Sequence, residues 1–288
     1  MIYSVSCCYK ASDGLALDIS DNSIEEFQGR VMAWWEDNAR SLPWRENPTP
    51  YNVLVSEVML QQTQVSRVIP KYTEFLNAFP TVESLAEADT KHLLQIWSGL
   101  GYNRRALWLR DAAREIVERN EFPRTTEELH ALKGIGPYTS RSILIFAFNR
   151  DLAAVDTNIR RVLISCGFAE ETDSIDLLQA VADRLLLKGR SRDWHNALMD
   201  YGSDVLTSNT TGIVPSSRQP KFKGSNRQVR GAIIRNLTCF DSLSLEELIS
   251  NVLEEGIDIT DPEYTIQQLV NEGFIERTPS GEFRIAEC

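Results

Sequence analysis

The stretch LKGIGPYTSRSI, Leu132 to Ile143, sets two glycines around one isoleucine, follows them with proline and tyrosine, and then resumes an apolar helical rhythm. Few backbones accept that order. Gly134 and Gly136 permit positive φ and close approach of two main chains, so one helix can stop abruptly and the next can begin at once. The spacing predicts two helices joined by a short turn, a hairpin near residues 129–142. The free N–H groups that open the second helix, at the positive end of its dipole, suit a phosphate and read no base sequence. A tight corner in any all-helical protein would use the same glycines, so the motif needs company to carry meaning.

Helix signals surround it. Ser23 followed by Glu26 reads as a capping box opening IEEFQGRVMAWWEDNA, and Thr49-Pro50 supplies a cap and a first-turn proline for YNVLVSEVMLQQT. Amphipathic periodicity covers residues 70–79, 82–88, 90–97, 104–119, 126–132, 138–148, 158–166 and 177–187. The body is therefore expected to be all-α. TTGIVPSSRQPKFKGSNRQ, from Thr210, is rich in Pro, Gly and Ser and reads as a linker. Helical patterns over 227–237, 244–254 and 261–271 then lead into GFIERTPSGEFRI, two alternating runs about Pro-Ser-Gly, which resemble a winged helix. The expected division is an N-terminal extension over 1–22, a helical domain over 23–209, a basic linker over 210–226 and a small winged-helix-like domain over 227–288.

The net charge is −11, but it is unevenly spread. Asp241 to Cys288 carries twelve acidic residues and two basic ones, so the first 240 residues are nearly neutral. Val205 to Phe240 has no acid and holds Arg218, Lys221, Lys223, Arg227, Arg230 and Arg235. That block is the clearest electropositive feature. No apolar run approaches the roughly 20 residues of a membrane span, and MIYSVSCCYKASDG lacks the grammar of a secretory signal, so an intracellular protein is expected. Five cysteines, with no C-x-x-C pair among them, fit a reducing compartment without structural zinc.

Further motifs give the hairpin its company. LPWRENPTPYNVLVSEVMLQQTQVSRVIPKY (Leu42 to Tyr72), GLGYNRRA (Gly99 to Ala106), AAVDTNIRRVL (Ala153 to Leu163) and NALMDYG (Asn196 to Gly202) occur with it in a fixed order. In sequence and spacing they resemble the adenine DNA glycosylases of the MutY group, within the helix-hairpin-helix base-excision superfamily, over about residues 24–205. The resemblance implies a two-lobed all-α fold with the active site between the lobes, acting on double-stranded DNA; a monomer is expected, although the sequence does not give the oligomeric state.

The residues fit that chemistry on their own terms. Glu57 has Val53 and Leu54 one turn before it and Leu60 one turn after, an apolar setting in which a carboxyl resists ionisation and can serve as a general acid. The resemblance gives it protonation of the adenine ring. Asp156, before TNIRRVL, suits an N-cap; the resemblance makes it the carboxylate that stabilises an oxocarbenium-like sugar, with Asn158 holding the sugar or Asp156. Two carboxyls with opposite protonation needs are a familiar solution to glycosidic cleavage. Relatives that nick the strand carry a lysine where Tyr138 stands, and a phenol cannot form a Schiff base. A monofunctional enzyme is therefore expected.

Base removal from a duplex needs an extruded nucleotide and a filled gap. By resemblance, Gln62 and Thr63 enter the stack, Tyr102 wedges between neighbouring bases, and Trp44 and Arg45 touch the flipped adenine. Gly134 and Gly136 hold the phosphate, and Arg218, Lys221 and Lys223 replace a basic loop of the relatives. If those cations do not reach DNA, Arg104, Arg105 and Arg110 are expected to grip the backbone instead.

Two departures stand out. The family commonly places four cysteines for an iron–sulfur cluster after ALMDYG, yet only Cys239 and Cys288 follow here, so no cluster and no metal are expected. The tail also does not resemble the Nudix-like domain that helps MutY proteins recognise 8-oxoguanine, and its charge argues against groove binding. Removal of adenine mispaired with 8-oxoguanine or guanine is the function expected. The same residues also suit a same-fold enzyme for thymine or uracil opposite guanine or for oxidised pyrimidines, and a non-catalytic binder of damaged DNA is the alternative from another class.

Overall fold

The structure is a computed structural model that describes residues 19–215 and 220–287. Arg218 and most of the expected extension over 1–22 lie outside the described residues. In chain order the helices are α1 (Asp21–Asn38), α2 (Pro43–Glu46), α3 (Pro50–Leu60), α4 (Val65–Ala78), α5 (Val82–Ala86), α6 (Thr90–Trp97), α7 (Arg104–Arg119) and α8 (Thr126–Ala131). They continue with α9 (Pro137–Phe148), α10 (Thr157–Ser165), α11 (Ile175–Arg184), α12 (Ser191–Asp204) and α13 (Ser208–Thr211). The C-terminal segment adds α14 (Asn226–Cys239), α15 (Leu245–Glu254) and α16 (Pro262–Asn271), then strands β1 (Ile275–Arg277) and β2 (Phe283–Ile285). No helix among the described residues is long and apolar enough to cross a membrane.

Local chemistry explains most starts. Ser20, not Ser23, caps α1: its Oγ accepts the Ser23 N–H at 3.3 Å, and the helix opens three residues before the expected box. Thr49 Oγ1 accepts the Asn52 N–H at 3.2 Å and Pro50 opens α3. α4 begins at Val65 and runs through Pro70, which was expected to start it. Burial of Val68, Tyr72 and Phe75 on one face outweighs the single hydrogen bond that the proline forfeits. α12 carries no clean apolar period and was not expected; its buried face mixes Trp194 and Leu198 with Ser191, His195, Asn196 and Asp200.

The chain forms two compact units, and the boundary cuts inside α3. Within the described residues, one unit takes 19–53, 124–130 and 135–215. There α12 packs against α1, α9 and α10. Phe27, Val31, Val162, Val181 and Trp194 form its core, with the Phe27 ring 4.8 Å from Phe168 and edge-on to Trp194 at 5.5 Å.

The other unit takes 54–123, 131–134 and 220–287. α7 packs on α5 and α6, and α6 packs in turn on α4 and α14. α14 also packs against α15, α16 and β2. The hairpin is antiparallel, with Ile275 opposite Ile285, and Leu243 bridges to Phe283. The C-terminal segment thus shares a compact unit with 54–123, a different division from the expected one at 210–226 and 227–288. α14 buries Val229, Ala232, Ile233 and Leu237 and packs on α6 as well as on α15, α16 and β2, which joins the segment to this unit.

Candidate active site

α8 and α9 are joined by residues 132–136, and the two glycines of the turn do different work. Gly134 has φ 77°, and a Cβ there would stand 3.0 Å from Trp108 Cβ and 3.1 Å from its Cε3. Conformation and space both require glycine. Gly136 has φ −88° and caps α9 in an extended conformation, so the expected positive φ is not found there. A Cβ at Gly136 would meet no atom of the described residues within 4 Å, which leaves the approach to the start of α9 open. Pro137 occupies the first turn, and Tyr138 follows it, half-buried.

Asp156 is the N-cap of α10. Its Oδ1 accepts the Ile159 N–H at 2.7 Å and its Oδ2 accepts from Asn158 Nδ2 at 3.1 Å. Burial pushes its carboxyl above the usual range, against the pull of these hydrogen bonds and of the Arg161 charge. Arg161 is itself buried; it donates to Asn158 Oδ1 at 2.7 Å, to the Gly202 carbonyl at 2.6 Å and to the Leu206 carbonyl. Gly202 has no room for a side chain, since a Cβ would lie 2.9 Å from the Asn158 carbonyl oxygen. His195, buried on α12, fixes the preceding loop: it accepts the Ala154 N–H through Nε2 at 3.1 Å and donates from Nδ1 to the Ser191 carbonyl at 2.7 Å. Burial pushes His195 down to about 4, so it is neutral at pH 7.

In the other unit Glu57 is half-buried between buried Ser56 and Val58, with Val53 and Leu54 buried one turn earlier. The following loop turns sharply, with Gln62 at φ 54°, a left-handed conformation rare for a side-chain-bearing residue. Tyr102 adopts the same region at φ 48° and is 38% exposed.

One buried guanidinium links these two loops. Arg105 Nη1 donates to the carbonyls of Val58, Met59 and Gln61 at 2.8, 3.0 and 2.7 Å. Its Nη2 donates to Thr63 Oγ1 at 3.1 Å and to the Leu100 and Gly101 carbonyls at 3.1 and 3.0 Å. Burial pushes its pKa down to about 10, and it stays charged. Gln61 Nε2 also donates to the Gly134 carbonyl at 3.3 Å, tying the same loop to the hairpin turn. Arg105, Arg110 and Arg104 are the expected phosphate grip only if the basic block does not reach DNA. Arg105 is too buried for that, and Arg110, 1% exposed, binds the Ala88 carbonyl and Thr90 Oγ1. Arg104 pairs with Glu272 at 2.9 Å.

Arg45 also has another occupation. Its two terminal nitrogens grip Asp200 at 2.8 and 2.9 Å, where Trp35 Nε1 and Arg40 also donate. Burial would raise Asp200, but the hydrogen bonds and charges of Arg45 and Arg40 hold its carboxyl below the usual range. The residue expected to touch adenine is thus a structural brace, and Trp44 beside it is buried. Of the basic block, Lys221 and Lys223 are exposed, whereas Arg230 and Arg235 pair with Glu272 and Glu255.

A model of the HhH-GPD superfamily of base excision DNA repair proteins matches residues 55–186. An adenine DNA glycosylase from Mycolicibacterium smegmatis is 32% identical over 284 residues, covering 89% of this chain and 94% of that one. The Rattus norvegicus enzyme of the same name is 38% identical over 205 residues, 66% of this chain but 39% of its own. Among solved structures, a thermostable thymine-DNA glycosylase aligns over 65% of this chain and 89% of its own, with TM-score 0.61 and 25% identity. An endonuclease III–DNA complex aligns over 64% and 86% with TM-score 0.57 and, at 20% identity, shares the fold. The protein is thus of the helix-hairpin-helix base-excision class. Within it, the chain belongs to the adenine DNA glycosylase family.

The cluster common in that family does not fit these residues. Four thiolates would be needed after α12, and no cysteine occurs between Val205 and Thr238. The end of α12 is held instead by Arg161 on the Gly202 and Leu206 carbonyls, followed by the short α13.

Proposed function

We propose that the protein is a monofunctional glycosylase that hydrolyses the N-glycosidic bond of adenine opposite 8-oxoguanine or guanine in duplex DNA. The observation that carries the reading is Asp156: a carboxylate at a helix start, aimed by Asn158 and backed by buried Arg161. In this reading Glu57 protonates the adenine ring, so the base leaves neutral. The ionised Asp156 stabilises the cationic sugar until water adds, a charge-on-charge effect of the kind that dominates many active sites. Tyr138 stands where strand-nicking relatives have lysine, so the product is an intact abasic site. Gln62, Thr63 and Tyr102 probe the opposite base and its neighbours, and the N-terminus of α9 takes a backbone phosphate. The chain works as a monomer without an iron–sulfur cluster, and its C-terminal segment, in the order helix, bridge at Leu243, two helices, hairpin, is winged-helix-like.

Likeness to a thymine-DNA glycosylase at 25% identity supports a second reading, removal of thymine opposite guanine. One experiment separates them. Labelled duplexes with A:8-oxoguanine, A:G, T:G and U:G are incubated with the protein, with and without alkali. Cleavage confined to the adenine pairs and dependent on alkali is expected; a T:G preference would replace the base, and nicking without alkali would end the monofunctional reading. Glu57→Gln removes the transferable proton and is expected to abolish base release while mispair binding survives.

A further inference from the structure

Tyr102, read above as a probing residue, has its side chain held by the protein's own groups. Arg227, from the first turn of α14, donates from Nη1 to the Tyr102 hydroxyl, and its guanidinium carbon lies 5.4 Å from the ring centroid. Arg105 approaches the same ring at 5.5 Å. Arg227 is itself fixed, its Nη2 donating to the Pro220 carbonyl at 2.7 Å. A second link stands two residues away. Arg104 and Arg230 both clasp Glu272, at 2.9 and 2.7 Å, and both lie over the Phe274 ring. The start of α7, the end of α16 and α14 are thereby joined around the loop that carries Tyr102. This loop needs such support, because Tyr102 holds a left-handed backbone that only surrounding contacts maintain.

We propose that Arg227 is a positioning residue for Tyr102, and that α14 makes the C-terminal segment part of the surface that probes DNA for the mispair. The planar guanidinium fixes both ring and hydroxyl, so the tyrosine meets the duplex already oriented and loses less freedom on insertion. The inference rests on the reading of Tyr102 as the probing residue, and the test separates the two.

Equilibrium binding is measured with duplexes containing 2′-fluoro-2′-deoxyadenosine, whose glycosidic bond resists cleavage, opposite 8-oxoguanine or thymine. The full chain is compared with Tyr102→Ala, Arg227→Ala, Arg227→Lys and the double alanine variant. The discrimination ratio, Kd for the matched duplex over Kd for the mispair, is expected to fall about tenfold in each single alanine variant and no further in the double. Arg227→Lys is expected to behave as Arg227→Ala, because an ammonium keeps the charge but not the fork. An intact ratio in Arg227→Ala with a lost one in Tyr102→Ala would overturn the inference and leave Tyr102 as the probe. Additive losses would make Arg227 an independent DNA contact and would overturn it too, as would full discrimination in Arg227→Lys. An intact ratio in Tyr102→Ala would remove the tyrosine's probing role itself.

Discussion

Asp156 is both a cap and, in the proposed reaction, a catalytic charge, and the two duties pull on its proton differently. Its folded pKa is raised, so any stability tied to this group is present at low pH and is lost as pH rises through that value; at neutral pH the ionised form costs stability. Asparagine caps about as well as aspartate. Asp156→Asn should therefore abolish single-turnover excision while the thermal midpoint at pH 7 stays the same or rises, as calorimetry can check. In the wild type, protonation removes the useful charge. The acid limb of the single-turnover pH profile should accordingly lie above the ~3.9 of an ordinary aspartate. Arg105 is the complementary case, a residue that holds rather than reacts. Truncating it strands five carbonyls beneath two loops, so Arg105→Ala should cost about 3 kcal/mol in urea unfolding and weaken mispair binding, with Arg105→Lys recovering part of both. It shares a helical stripe with Leu109, Ala112 and Ile116, but neither its burial nor its acceptors, up to 47 residues away in sequence, follow from local pattern.

At the level of elements, the arrangement of α1, α2 and α12 depends on one buried carboxylate. Asp200 on α12 receives Trp35 from α1 and Arg45 from α2, with Arg40 between them. Replacing it by asparagine leaves two guanidinium groups facing each other without the charge that paid for their burial. Asp200→Asn should cost about 3–5 kcal/mol in urea unfolding. Because its folded pKa is lowered, this contribution is present above the ordinary aspartate value and is lost as pH falls through the folded one. The stability gap between wild type and variant should thus shrink on acidification. The same burial of polar groups hid α12 from periodicity, although NALMDYG was visible as a motif. Gly202 shows what that motif holds: α12 and α10 meet where no side chain fits.

For the whole molecule, the net charge of −11 is concentrated in the segment from Asp241 onward, part of which is paired internally. Arg230 and Arg235 neutralise part of the acidic tail, and Lys91 pairs with Asp241 at 2.8 Å. Lys221 and Lys223 stay exposed. Changing both to alanine should lower the slope of log affinity against log salt by up to about 1.8, whereas Arg230→Ala with Arg235→Ala should leave the slope unchanged. Equal slopes for all variants would show that neither pair meets phosphate.

Most helix positions and the hairpin turn follow from the sequence alone, because caps, glycines and 3.6-residue apolar spacing act over a few residues. Which arginines face solvent did not follow. Arg45, Arg105, Arg110, Arg161 and Arg227 look alike in sequence, and each was assigned by a partner distant in the chain: Asp200, the Val58 to Gln61 carbonyls, Ala88, Gly202 and Tyr102. A buried cation is stable only where acceptors converge on it, and that convergence exists only once the chain has folded.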